Sequence, residues 1–133
     1  MKVLLACVLI IVLVVTHEPP IMQEVRRRNR KLARALGQWP SAIVSLRPDG
    51  PELGWNIGKG WSMAVCTRGS IDSIMNVIVH EMAHTAVDVY DHSESFVKSR
   101  DNVSKIAQKM GVYNPSNVGT LCGDEIIEES SSA

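Results

Sequence analysis

The sequence predicts an α+β protein: a small, mostly antiparallel sheet packed on a buried helix, a second helix beside it, and an apolar helix at the N-terminus. Three observations carry this. Ala42–Leu46 and Ser62–Thr67 are short runs rich in β-branched and apolar residues, set among Gly and Pro, with the length and composition of strands. The run from Ile71 to Tyr90 is apolar nearly all round and too long for a strand, so it reads as a buried helix. From Glu94 onward, Phe96, Val103, Ile106, Ala107 and Met110 form an apolar stripe that stops at Gly111, a residue suited to ending a helix.

Length and charge narrow the function. The 133 residues allow one domain plus an N-terminal segment. Fourteen basic and fourteen acidic residues cancel, leaving no overall field to recruit nucleic acid, which is disfavoured as a partner. Val3 to Val15 is an unbroken apolar run of thirteen residues. It is shorter than the roughly 20 of a spanning helix and within the roughly 7–15 of a signal-peptide core. Against cleavage, Thr16-His17-Glu18-Pro19-Pro20 offers no small-residue site, and Arg26, Arg27, Arg28, Arg30, Lys31 and Arg34 crowd the C-terminal flank. By the positive-inside rule this predicts a short single-pass anchor with the folded domain on the cytoplasmic side, secretion after cleavage being the alternative. The chain then divides into residues 1–20 as transmembrane anchor or signal, 21–37 as a basic juxtamembrane helix, 38–126 as the domain, and 127–133 as an acidic, serine-rich tail. Residues 3–15 and the basic run 26–34 would meet the membrane.

The chemistry centres on His80-Glu81-Met82-Ala83-His84. Histidines at i and i+4 stack on one face of a helix, where both imidazoles reach one metal ion, and Glu81 sits beside them. This H-E-x-x-H spacing points to Zn²⁺, with an open coordination position for water and a carboxylate to take its proton. Two histidines and a glutamate in a buried helix also need a partner, and a metal supplies one. Ser70 or Asp72 is placed to cap that helix. Asp88, one turn beyond His84, is either a ligand or a carboxylate that orients an imidazole. His92 falls at the junction of two helices; spacing alone leaves it as a third ligand or a loop histidine. Trp55 and Trp61 read as packing residues.

Three cysteines without C-x-x-C spacing exclude a Cys-rich metal site. Cys7 lies in the apolar run, and Cys66 and Cys122 read as small buried residues with free thiols. A bridge between those two would require an oxidising compartment.

With these pieces in place, Asn56 to Ile126 resembles the SprT-like and WLM-like zinc metallopeptidases, especially small single-domain members found in large DNA viruses. The resemblance rests on Asn56-Ile57-Gly58-Lys59-Gly60 leading into Met63–Arg68, on Val79–Thr85, on Asp91-His92-Ser93-Glu94-Ser95-Phe96, and on Gly111–Pro115 with Cys122-Gly123. It implies a minimal zincin-like fold and a zinc metalloendopeptidase acting on protein or peptide substrates. His80, His84 and His92 would hold the zinc, and Glu81 would be the catalytic acid/base. Asp91 stands where many members carry glycine, and Tyr90 stands where a metzincin has its third histidine. The rival expectation is a membrane-tethered, non-catalytic zinc-binding or interaction module, in which protein fills the fourth metal position.

Overall fold

In the computed structural model, which describes residues 1–16, 19–46, 54–57, 62–87 and 91–125, two helices come first, α1 (Lys2–Thr16) and α2 (Pro20–Leu36). Three strands follow: β1 (Ala42–Leu46), β2 (Gly54–Ile57) and β3 (Ser62–Cys66). Then come α3 (Ile71–Val87), α4 (Glu94–Lys109), a 3-10 turn at Pro115–Asn117, and a minimal hairpin of β4 (Thr120–Leu121) and β5 (Asp124–Glu125). The packing expected of Trp55 and Trp61, the tail 127–133 and the role of Asp88 fall outside the described residues and side chains.

The sheet corrects the expectation of mostly antiparallel pairing. Its order is β1-β3-β2. β1 runs parallel to β3, with Ala42 opposite Ser62 and Leu46 opposite Cys66, while β2 is antiparallel to β3, with Gly54 opposite Val65. β3 thus enters last, between two strands that precede it. Alternation along a strand says which face a residue takes but not which strand lies next to it, so the order was not legible. The apolar run Met63-Ala64-Val65-Cys66 is buried throughout, as a central strand covered on both faces requires.

The expected transmembrane anchor is overturned, and with it the single-pass placement on the cytoplasmic side. Among the described residues no helix is long and apolar enough to cross a membrane. α1 has 15 residues and rises about 22 Å, against the ~30 Å of a hydrocarbon core. Pro19 caps α2 and Pro20 begins it, and this helix differs from α1 in composition as well as burial: α1 exposes Leu4, Leu5 and Ile11, whereas α2 buries one stripe.

That stripe is Met22, Val25, Asn29, Leu32 and Ala33, at the spacing of one helix face. It joins the same core as α3 and α4. Gly37 ends α2 in the left-handed conformation (φ 68°), with the Gln38 N–H donating to Ala33 O at 2.9 Å, which satisfies the last carbonyls. The basic run divides between water and the interior. Arg27, Arg30, Lys31 and Arg34 are exposed. Arg28 instead turns inward, its Nη1 donating to Val112 O at 3.0 Å and reaching Asp72 at 3.4 Å.

Asp72 is the buried end of that contact. Its carboxylate also accepts from Asn114 N at 2.8 Å and Asn117 Nδ2 at 3.2 Å, so α2, the start of α3 and the loop after α4 are tied to one side chain. The cap of α3 falls to Ser70, whose Oγ accepts from Ser73 N at 3.1 Å. Beyond the loop, Leu121 lies against Gly69 so closely that a Cβ at Gly69 would meet Thr120 O at 2.8 Å. This contact brings Cys122 to Cys66, with Cα atoms 6.3 Å apart, and the two form a disulfide. The expected free thiols are therefore paired. They are 56 residues apart in sequence, and the Gly69–Leu121 contact together with the Cys122 N–H donating to Arg68 O at 2.9 Å makes them neighbours.

Candidate metal centre

α3 buries Ile74, Met75, Ile78 and Met82 in the core, which leaves His80 and His84 half-buried on the side that meets α4. Two interactions fix how α4 arrives. At its start the Asp91 carboxylate accepts from Ser93 N at 3.3 Å, and hydrogen bonds from the Ser93 side chain and backbone hold the Asp91 carboxyl below its usual range. Two turns on, Ser99 Oγ donates to Ala83 O at 3.0 Å. The loop residue between the helices, His92, is thereby carried over the His80/His84 face.

The three imidazoles converge through one type of atom. Nε2 of His84 and Nε2 of His92 each lie 3.2 Å from Nε2 of His80, and all three ligand atoms fall within 4.8 Å of one another. A zinc ion held tetrahedrally at 2.0–2.1 Å requires its nitrogen ligands to stand ~3.4 Å apart, so the spacing fits a metal. It fits a proton network less well: each imidazole nitrogen has one site for a proton or a lone pair, too few to satisfy three that meet at a point.

Phe96 forms the floor beneath them. It is fully buried, stacks on His84 at 4.1 Å between ring centres and meets His80 edge-on at 4.9 Å. His92 is exposed, so the cluster opens to solvent on that side. Glu81, adjacent to His80, is half-buried. Among the described residues the cluster consists of His80, His84 and His92; Asp88 lies outside them. Arg28 and Asp72 were not singled out for these positions by the sequence. A charge in a basic or helical stretch carries no mark of the side to which it turns.

Burial first, then the charges of His84, His92 and Arg100, push the His80 imidazole down to about 4. Neutral imidazole is the metal-binding form. In metal-free protein this sets the sign of a pH effect. Between the unfolded value of 6.5 and about 4, the unfolded chain binds a proton that the folded chain refuses, so stability is full above that window and falls as pH drops through it. The loss expected is about 2 kcal/mol, allowing for solvent at a half-exposed ring. Urea denaturation of metal-free protein at neutral and acidic pH measures it, and His80→Gln should flatten the dependence. An equally steep dependence in that variant would assign it elsewhere.

Fold and cluster together define a small α+β protein in which three histidines could hold a metal ion. An uncharacterized protein of Acanthamoeba polyphaga mimivirus is 28% identical over 105 residues, which cover 74% of this chain and 49% of the relative. The chain thus resembles a viral protein and spans about half its length. No protein-family profile matches the chain, and no solved structure matches it.

Proposed function

We propose that the chain is a zinc-dependent metallopeptidase that hydrolyses peptide bonds, a small relative of the SprT-like and WLM-like enzymes. The observation that carries this is the pair of 3.2 Å separations between imidazole nitrogens, set beside a glutamate in the H-E-x-x-H order. His80, His84 and His92 would hold the ion, and zinc bound there would supply a Lewis acid able to make water reactive near neutral pH. Glu81 takes the proton from that water on its carboxylate and returns it to the leaving amine nitrogen. Phe96 restricts the His84 ring from one side, which favours a fixed direction for its lone pair. Among the described residues, three protein ligands with a solvent-facing side favour catalysis over a structural metal, where protein fills all four positions.

Glu81→Gln tests this directly. The variant should keep its zinc, measured by mass spectrometry on purified protein, and lose on the order of 10²- to 10⁴-fold in hydrolysis of a denatured protein substrate. Unaltered turnover in a zinc-loaded variant would remove Glu81 from the mechanism.

A further inference from the structure

Away from the histidines, a cleft of about 480 Å³ opens where Arg28 of α2, Asp72 at the start of α3 and Gln108 near the end of α4 meet the loop that follows. Its size is that of a small-molecule site. Gln108 lies twelve residues beyond Phe96 on α4, about 18 Å along the helix, so the cleft is separate from the metal centre. Asn114 and Asn117 of the loop complete its polar wall. The buried Asp72 carboxylate fixes both, accepting from Asn114 N and from Asn117 Nδ2. Asn114 Oδ1 accepts from Ser116 N at 3.0 Å, and Asn117 O accepts from Ser70 Oγ at 3.1 Å. The wall is therefore set before a ligand arrives, which spares the ligand the cost of ordering it.

Once these bonds are made, the wall keeps capacity of both kinds. Asn114 Nδ2 and Arg28 Nη2 donate to nothing among the described residues, and Asn117 Oδ1 and Gln108 Oε1 accept nothing. Each amide is thus pinned by one half and spare at the other. Gln108, Asn114 and Asn117 are exposed, so a ligand can reach them. Charge does not select an ion, because Arg28 is matched by Asp72 and Glu24.

We propose that this cleft binds a small neutral sugar. A hydroxyl donates and accepts at once, so neighbouring hydroxyls on a sugar ring answer a wall that mixes spare donors with spare acceptors. An anion would use the donors alone and face the Asp72 carboxylate; a cation would face the Arg28 guanidinium. A peptide offers the same mixture in its backbone, but its side chains would find little apolar wall beyond Pro115 and the buried Tyr113.

The test is NMR titration of the isotope-labelled full chain with glucose, mannose, galactose and N-acetylglucosamine in turn. At least one should shift the backbone amides of residues 111–117 saturably, with a Kd in the millimolar range, and leave those of His80 and His84 in place. Gln108→Ala removes a surface bond to Ser104, and Asn114→Ser keeps an oxygen for the Ser116 N–H. Each should bind that sugar about fivefold more weakly, the worth of one hydrogen bond. Where Asn114→Ser disturbs the loop, Gln108→Ala decides. No saturable shift with any of the four sugars, or equal affinity in wild type and Gln108→Ala, overturns the proposal. The same shifts produced more tightly by N-methylacetamide or by inorganic phosphate also overturn it, and assign the cleft to peptide amides or to anions.

Discussion

Replacing His92 with alanine is expected to weaken zinc binding on the order of a hundredfold or more, with little change in folding. Loss of a group that merely orients a ligand costs roughly 10- to 100-fold in affinity, and His92 supplies one of the three nitrogens of the cluster among the described residues. The side chain is exposed, so its removal leaves no cavity in the core. Its ring meets Phe96 at 4.9 Å, but Phe96 stays packed against His84 without it. Competition for zinc with a chromophoric chelator measures the change, and circular dichroism checks the fold. Equal zinc affinity in the variant and the wild type would return His92 to the role of a loop histidine and leave a two-histidine site, too weak a holder for a catalytic ion. The same titration on Glu81→Gln should show no such loss, because Glu81 is assigned to the water rather than to the metal.

Reduction of the Cys66–Cys122 bridge should cost about 4 kcal/mol of stability, from the chain entropy that a loop of this length returns to the unfolded state. For a chain of this size that corresponds to a fall in Tm of about 10–15 °C. Thermal melting with and without a dithiol reductant reads it, and the double variant Cys66→Ser with Cys122→Ser should match the reduced protein. A melting curve indifferent to reductant would mean that the thiols are not joined in solution. The bridge runs from the end of β3 and encloses α3, α4 and the hairpin strand β4, so every proposed metal ligand lies inside the ring it closes. Cys122 also sits at φ 51°, followed by Gly123 at φ 85°, the positive values that a tight two-residue hairpin turn demands. A non-glycine residue there stores about 1 kcal/mol or more of strain, which the bridge helps to hold.

What the sequence made legible was local. The i, i+4 histidines in an apolar helix, the serine before α3, Gly37 and Gly111 as helix ends, and the strands at Ala42–Leu46 and Ser62–Cys66 all depend on neighbours within a few residues. His92 was half legible: its position at a helix junction could be read, but its approach to His80 depends on the crossing that Ser99 and Ala83 secure. The run of thirteen apolar residues had a length compatible with more than one fate, and composition could not choose among them. Arg28 shows the same difficulty at a single residue. It was counted with a basic run that would meet the membrane, yet three elements depend on its turning toward Asp72 and Val112. The disulfide was illegible because it follows from a backbone contact between Gly69 and Leu121, and neither residue has a chemistry that advertises it.

The late entry of β3 between β1 and β2 has a consequence for how the chain is made. As residues emerge in order, β1 and β2 appear without the strand that both must pair with, and neither is hydrogen-bonded to the other in the finished sheet. Each presents open edges until residue 66 has been synthesised, the kind of exposed backbone that recruits foreign strands. β2 and β3, consecutive in sequence and antiparallel, can pair as a hairpin, whereas the parallel pairing of β1 with β3 closes a longer stretch of chain and is the slower step. The α3–α4 pair follows β3 directly, so the core that seals the sheet arrives only after its strands have waited for it, and crowding during synthesis would be felt first at β1 and β2.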